Sequence, residues 1–282
     1  MVYICADDYG ISKESCARIE KCAAVGALNK ISVLPNGIVP NKEKVSDLKV
    51  KFGLHINLVE GRALSAASDI PLLADENGYF RHSFAGLFLL SVSHKRKKFE
   101  KQIETELRSQ IEFWRKTGLP YVIDSHQHTH MIPLVFGTLL KVLSDMKVDA
   151  EYIRFPSEPT LPYIKCLSLY PTYRPVNIIK QLILKFLGLL NKTELKRSGI
   201  KTALFMGIMF SGRMDKSRVE KVIPQYIKIA EKKNSDIEIL FHPGYMLHGE
   251  KTGFSEKFSR FYFSKDRKTE YDTLQIRKGA LK

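Results

Sequence analysis

Apolar positions follow two different periods along this chain, and the change of period marks its predicted elements. Short runs of β-branched and aromatic residues predict strands, whereas segments with an apolar residue every third or fourth position predict helices. Strands are predicted at residues 2–6, 31–34, 52–58, 121–123, 152–155, 204–210 and 237–241. Helices are predicted between Ser12 and Gly26, at 99–116, from Pro133 to Met146 and at 217–233. This alternation indicates a parallel sheet, either open or closed into a barrel.

Local signals support two of these helices and one long loop. Residues 99–116 repeat apolar side chains at three- and four-residue steps, which is the period of an amphipathic helix. Ser12 can cap the first helix, because a serine hydroxyl accepts a bond from a free N–H in the first turn. Residues 59–81 carry Gly, Pro and Asn and predict a loop. Its length indicates that it covers a substrate.

Residues 176–190 do not fit the alternation of strands and helices. Eight apolar side chains there occupy about half of a helical wheel, and a basic run at 192–201 follows. The polar side of the wheel consists of Asn177, Lys180, Gln181 and Lys185. The segment is too short and too charged to span a bilayer, so two interpretations stay open: a helix packed on the barrel, or an interfacial helix on anionic lipid. We predict an amphipathic, basic helical insertion at about residues 171–201 of a single domain spanning 1–282.

The charge balance bears on possible partners. Lys and Arg number 45 against 30 Asp and Glu, which gives a net charge of +15. Such an excess favours nucleic acid, acidic sugars or a negatively charged membrane surface. The sequence has no zinc-finger, homeodomain or aromatic-stacking motif, so nucleic acid is not an expected partner. Peripheral contact with an anionic membrane is consistent with both the charge and the amphipathic segment.

Cysteine usage and the N-terminal residues predict the compartment. The four cysteines form no Cys-x-x-Cys pair and no disulfide-framework spacing, which indicates free thiols in a reducing cytosol. The first apolar run, residues 2–6, is too short for a signal sequence. We therefore expect a cytoplasmic location, with peripheral contact at the inner face of the membrane.

The clearest chemical signal is the stretch Asp-Ser-His-Gln-His-Thr-His-Met at residues 124–131. If the preceding strand continues through it, Asp124, His126, His128 and His130 point to one face. Such groups are costly in a dry core without partners, so the pattern indicates a metal or acid–base site at the carboxyl end of a strand. The alternative is a polar strand end whose histidines bond nearby backbone.

Acidic or imidazole groups also end other predicted strands, namely at Asp7-Asp8, His55 and His242. Strand carboxyl ends gather at one face of a parallel α/β fold, so these groups could converge with Asp124 and His126. Two imidazoles and one carboxylate leave positions open on a divalent ion for water and substrate. A second carboxylate can then act as a base, and a further histidine can protonate a leaving group.

Five motifs carry a resemblance to a known family. They are Ala6-Asp7-Asp8-Tyr9-Gly10, Gly53-Leu54-His55-Ile56-Asn57-Leu58, Asp124-Ser125-His126-Gln127-His128-Thr129-His130-Met131, Arg154-Phe155-Pro156-Ser157-Glu158 and Phe241-His242-Pro243-Gly244. Their order and intervals resemble the YdjC-like carbohydrate deacetylases, a group that includes chitooligosaccharide deacetylases and hopanoid-biosynthesis-associated deacetylases. Each motif is short, but together they are highly specific. The stretch at 171–201 departs from the short members of the family.

The resemblance implies a fold, a cofactor and a reaction. The fold would be α/β, an irregular (β/α) barrel related to polysaccharide deacetylases. One divalent metal ion, Mg²⁺ or Zn²⁺, would be bound by Asp8, His55 and His126, with Asp7 as general base and His242 as general acid. The reaction would be hydrolysis of the N-acetyl group of an amino sugar, either an oligosaccharide or a lipid-linked saccharide, with release of acetate.

The remaining polar residues of the motifs are expected to support the ligands or to bind substrate. They are Asp124, His128, His130 and Arg154. We expect Asp124 to orient one of the histidines. Two other functions stay open on the sequence: a metal-dependent hydrolase of another amide or of a phosphate bond, and a non-catalytic nucleic-acid binder based on the positive charge.

Overall fold

The computed structural model describes residues 1–254 and 259–276, and this part of the chain contains one sheet of seven parallel strands. The strands are β1 (Val2–Tyr9), β2 (Lys30–Val33), β3 (Lys51–Ile56), β4 (Tyr121–Ser125), β5 (Ala150–Ile153), β6 (Leu204–Met206) and β7 (Ile237–Phe241). Their order across the sheet is β5-β4-β3-β2-β1-β7-β6. Every predicted strand is present, although β1 is longer than predicted and β6 is shorter.

Helices connect the strands and cover the sheet. They are α1 (Lys13–Ala24), α2 (Lys42–Leu48), α3 (Phe84–Val92), α4 (Arg96–Arg115), α5 (Pro133–Asp145), α6 (Leu161–Ile164), α7 (Pro175–Ser198), α8 (Lys216–Lys233), α9 (Ser259–Tyr262) and α10 (Lys265–Ile276). Short 3₁₀ helices occur at Ala67–Asp69, His126–Met131 and Leu167–Thr172. The four predicted helices correspond to α1, α4, α5 and α8.

The local signals act as expected in α1 and α4. The Ser12 hydroxyl accepts a hydrogen bond from the backbone N–H of Ser15 and so caps α1. In α4 the residues at three- and four-residue steps, from Phe99 to Trp114, are buried against the core. Burial of this apolar stripe fixes the side of α4 that packs on the sheet.

Contacts across the interior show that the sheet curls into an irregular (β/α) barrel, as the family resemblance implied. β5 and β7 are separated by four strands in the sheet order, yet the Tyr152 hydroxyl of β5 donates to the Glu238 carboxylate of β7. Lys30 Nζ, on β2, lies 2.8 Å from the same carboxylate. Arg154, just after β5, also bonds Glu238, with Nε 3.0 Å from Oε1. These contacts require β5, at one edge of the sheet, to approach β7, which lies next to the opposite edge.

Continuation of the histidine strand was a wrong expectation. β4 ends at Ser125, and Gln127 and His128 have left-handed backbone angles, with φ of 52° and 56°. A strand cannot continue through two such residues, so the alternation that would place His126, His128 and His130 on one face is lost.

The segment predicted at 176–190 belongs to the longer helix α7, which packs on the barrel. The side that packs is not the apolar one: Asn177 and Gln181 are buried, whereas Leu182 and Phe186 are exposed. In the part of the chain that the structure covers, no helix is both long and apolar enough to cross a membrane.

The buried cation in β2 leads to a stability prediction. Lys30 Nζ lies 3.2 Å from Asp124 Oδ2 and 2.8 Å from Glu238 Oε1. The substitution Lys30→Met removes one buried cation from Asp124 and from Glu238. We therefore expect the free energy of unfolding to fall by about 3–5 kcal/mol. Urea denaturation followed by circular dichroism measures this change.

A matched control lies beside Lys30 in the sheet. Lys51, its partner in the register of β2 and β3, forms an exposed ion pair with Glu151. Lys51→Met should change the free energy of unfolding by no more than about 1 kcal/mol. Equal destabilisation by the two substitutions would contradict the prediction that the buried cation stabilises the fold more than an exposed one.

Candidate metal and catalytic site

The carboxyl end of β1 brings two consecutive carboxylates into the barrel. Successive side chains of a regular strand point to opposite faces, but the pairing of β1 with β2 shifts register between Ala6 and Tyr9. Asp8 has φ of 67°, a left-handed conformation that aspartate tolerates better than most residues. As a result, Asp7 and Asp8 are both buried and both reach the same group of side chains.

His55, near the end of β3, has one nitrogen engaged and one without a partner. Its Nδ1 lies 2.6 Å from Asp124 Oδ1 and donates to that carboxylate. Its Nε2 is buried and makes no hydrogen bond within the described part of the chain, although Asp8 Oδ1 lies 3.4 Å away. Asp124 therefore orients the ring so that Nε2 points towards Asp8.

His126, directly after β4, is held by two carboxylates. Its Nδ1 lies 2.8 Å from Asp8 Oδ1, and its Nε2 lies 2.7 Å from Glu60 Oε2. The Tyr262 hydroxyl donates to the same Glu60 oxygen over 2.6 Å. Glu60 thus orients the His126 ring as Asp124 orients the His55 ring. Metal-binding histidines usually have a carboxylate or carbonyl bonded to the ring nitrogen that does not bind the metal.

Three side chains fit a divalent metal ion. The ligand atoms offered by Asp8, His55 and His126 all lie within 4.8 Å of one another. Two imidazoles and one carboxylate form a donor set that leaves coordination positions open for substrate and water. Two neighbouring sets that include Asp124 fit less well, because its Oδ2 already meets Lys30 and Arg154.

The charges of the site are also compatible with a bound cation. Burial alone lowers the pKa of a histidine, but Asp7 and Asp124 raise the pKa of His55 to about 9. Against the same effect of burial, Asp8 and Glu60 raise the pKa of His126 to about 10. The carboxylates around the histidines are Asp7, Asp8, Glu60, Asp124 and Glu238, and the fixed cations are Lys30, Arg154 and Arg267. Five carboxylates against three cations leave two negative charges. Two protonated imidazoles balance these charges without a metal, and one divalent ion would balance them beside neutral imidazoles.

Asp7 is held by a bidentate ion pair beside the proposed metal ligands. Arg154 Nη1 lies 2.6 Å from Asp7 Oδ2, and Nη2 lies 2.8 Å from Asp7 Oδ1. Burial raises the pKa of Asp7, but the Arg154 guanidinium and the nearby His55 together keep this pKa below its ordinary value. Asp7 is therefore ionised, and its Oδ2 lies 3.9 Å from His55 Nε2.

His242 lies at the same end of the sheet as this cluster. Phe241, the last residue of β7, pairs with Ala6 of β1, so His242 follows the strand that neighbours Asp7. The side chain of His242 is 21% exposed, and its Nδ1 lies 3.6 Å from Glu270 Oε2. Glu270 also accepts a hydrogen bond from the backbone N–H of His242, which fixes this turn.

The other two histidines of the stretch are not part of the proposed metal set. His130 bonds the Ser125 hydroxyl through Nδ1 and the backbone oxygen of Arg154 through Nε2, and burial lowers its pKa to about 4. The His128 ring packs edge-on against Phe205, with centroids 5.7 Å apart. His130 thus fixes the backbone of the arginine that holds Asp7.

Sequence reasoning missed several residues of the site. Glu60 lies in the loop predicted at 59–81, where no spacing pointed to it. Arg267, on α10, pairs with Asp8 Oδ2 at 2.5 Å and is buried, although it belongs to a basic C-terminal stretch typical of solvated residues. Tyr262 and Glu270 come from the same C-terminal region. Nothing in their local sequence distinguishes them from surface residues.

Comparisons with known proteins agree with the motifs. A family model described as YdjC-like protein matches residues 1–278. The chain is 26% identical to a carbohydrate deacetylase of Danio rerio, over 96% of this chain and 90% of that protein. It is 31% identical to a carbohydrate deacetylase of Oceanobacillus iheyensis, over 54% of this chain and 64% of that protein.

A solved structure is similar in fold. It is a candidate cellobiose-phosphate cleavage protein from Enterococcus faecalis V583, with a TM-score of 0.62 and 18% identity. The match covers 97% of this chain and 89% of that chain. At this identity the likeness bears on the fold alone.

We predict that the substitution His126→Ala abolishes most divalent-metal binding. The change removes one of three ligands but leaves the strands and the Arg154 network in place, so the fold should persist. Elemental analysis after dialysis against Zn²⁺, with circular dichroism to check the fold, measures the outcome. Wild-type occupancy in the variant would rule out the assignment.

Glu60→Gln provides a graded comparison. The substitution keeps the size of the side chain but weakens the support of His126 Nε2, and such changes lower metal affinity by about 10–100-fold. Gln at position 60 should therefore weaken binding without abolishing it. An affinity equal to that of the wild type would show that Glu60 does not support a metal ligand.

Proposed function

This chain belongs to the family of YdjC-like proteins, and we propose that it is a metal-dependent carbohydrate deacetylase that removes the N-acetyl group of an amino sugar. The observation that carries the proposal is the free Nε2 of His55, which points at Asp8 beside the arginine-held Asp7. The relatives from Danio rerio and Oceanobacillus iheyensis are named carbohydrate deacetylases. The products would be a free amine and acetate.

Asp8, His55 and His126 would hold the ion. A divalent ion bound there supplies a Lewis acid that polarises the amide carbonyl. Of the two ions expected from the sequence, Zn²⁺ suits two imidazole nitrogens and one carboxylate, whereas Mg²⁺ prefers oxygen ligands. We therefore propose Zn²⁺ as the better match for this donor set.

Asp7 would act as the general base. Its carboxylate accepts a proton from a water molecule as the water oxygen forms a bond to the amide carbon. Arg154 keeps Asp7 ionised and fixes both of its oxygens, so the base is ready and oriented before substrate binds. The developing negative charge lies on the former carbonyl oxygen.

His242 would act as the general acid. When the C–N bond breaks, its electron pair stays on nitrogen, and a proton donated by His242 converts it to the free amine. His242 is partly exposed and follows the strand that neighbours Asp7, which suits a group that would meet the sugar amine. The acetyl group leaves as acetate, and one of the two acetate oxygens comes from the water molecule.

Acetate release from N-acetylglucosamine oligomers and from a lipid-linked N-acetyl sugar tests the proposal, with the His126→Ala protein as control. We expect release by the zinc-loaded wild type and none above background by the variant. A phosphate ester and a simple peptide amide are assayed in parallel. Turnover of these compounds alone would replace the proposal with hydrolysis of another bond.

The roles of the two adjacent carboxylates can be separated. We predict that Asp7→Asn retains the metal but lowers turnover by roughly 10²-fold or more, the usual scale for loss of a general base. Elemental analysis and acetate release are measured on the same preparation. Loss of metal together with activity would identify Asp7 as a ligand and reverse the roles of Asp7 and Asp8.

A further inference from the structure

The side of α7 that packs on the barrel includes three buried polar side chains. Asn177 Nδ2 donates to the backbone oxygens of Met209 and Ser211 over 3.2 and 3.3 Å. Asn191 Nδ2 donates to the backbone oxygen of Met131 over 2.8 Å. Gln181, between them on the helix, is also buried. Leu184, Leu187 and Gly188 are buried on the same side, and the two leucines pack in an apolar cluster with Phe205.

The opposite side of α7 is apolar and faces outward. Leu182 is 55% exposed, Phe186 57% and Leu189 66%, although such side chains are ordinarily buried. The apolar face comprises Val176, Ile178, Ile179, Leu182, Ile183, Phe186, Leu189 and Leu190. Residues 1–254 and 259–276 leave this face uncovered. A continuous apolar surface of this kind marks an interaction site.

Basic residues border the apolar face. At 100° per residue, Lys185 and Lys192 fall along one edge of the apolar sector and Lys180 along the other. Lys196 and Arg197 extend the charge beyond Leu190. Of the 24 residues of α7, only Glu194 is acidic. The helix therefore combines a bare apolar sector with a positively charged border.

α7 lies across the carboxyl ends of three strands. Asn191 bonds the segment after β4, and Asn177 bonds the segment after β6. Gly188 meets the segment after β5 so closely that a Cβ there would lie 2.9 Å from Ser157 Cβ. The proposed metal ligands lie at the same end of the sheet. The apolar face is thus on the side of the barrel where the site is.

We propose that the apolar face of α7 docks on an anionic lipid bilayer. Its apolar side chains would enter the acyl boundary, while the bordering lysines keep their charged ends among the phosphates. Charge favours lipid over a second copy of the chain, because five basic residues against one acidic residue repel an identical helix. The net charge of +15 acts in the same direction.

Docking would place the carboxyl ends of the strands near the lipid headgroups. If the proposed deacetylase function holds, the site would then favour a sugar carried on a lipid. Docking itself does not depend on that function, and it can be measured by binding alone. The two proposals can therefore fail separately.

Co-sedimentation tests the docking with the complete chain. We expect the wild type to pellet with vesicles of phosphatidylglycerol and phosphatidylcholine at low salt, and to be released at high salt because the lysine contribution is screened. Leu182→Ser with Phe186→Ser should weaken vesicle binding by at least about tenfold. Lys180→Gln with Lys192→Gln should weaken binding to anionic vesicles without changing the weak binding to pure phosphatidylcholine.

Leu247→Ser is the matched control, because Leu247 is 53% exposed but lies outside α7. It should bind vesicles as the wild type does, and circular dichroism checks that every variant folds. The proposal is overturned if the wild type stays in the supernatant with anionic vesicles at low salt, or if the Leu182 and Phe186 variant binds unchanged. A dimer seen by ultracentrifugation that this variant abolishes, without vesicle binding, would assign the face to a second copy instead.

Discussion

The ion pairs of the Arg154 guanidinium are the interaction on which both the barrel and the site depend. It lies within 3.0 Å of carboxylate oxygens of Asp7, Asp124 and Glu238, which come from β1, β4 and β7. A buried carboxylate without a partner is strongly unfavourable, so this cation stabilises the closure of these strands around the interior. The same ion pairs fix both oxygens of Asp7. The geometry of the proposed base is therefore a consequence of how the barrel closes.

Much of the fold could be predicted because its signals are local. Strand and helix periods are set by neighbouring residues, and the carboxyl ends of parallel strands meet by geometry, which is why Asp8, His55 and His126 come together. Glu60 and Arg267 could not be predicted in this way. They reach the site from a loop and from α10, where the sequence contains no period or motif that reports on a distant partner.

The histidine stretch shows where a local period ceases to be informative. Alternation is a property of extended backbone, and the chain leaves that conformation at His126. The Ser125 hydroxyl accepts a hydrogen bond from the backbone N–H of His130, an alternative to pairing with the next strand. The resulting turn separates the histidines by role: His126 contacts Asp8, whereas His130 bonds the backbone of Arg154.

The orientation of α7 follows from what the ends of the strands leave unpaired. Beyond β4 and β6 the backbone oxygens of Met131, Met209 and Ser211 have no strand to bond, so a helix crossing them must supply N–H donors. Asn177 and Asn191 do so, and an apolar face could not. The amphipathic pattern identifies an apolar and a polar side of a helix, but it does not show which side packs against the rest of the protein. Here the need for donors turns the polar side inward, which leaves the apolar side outward at the end of the barrel where the site lies.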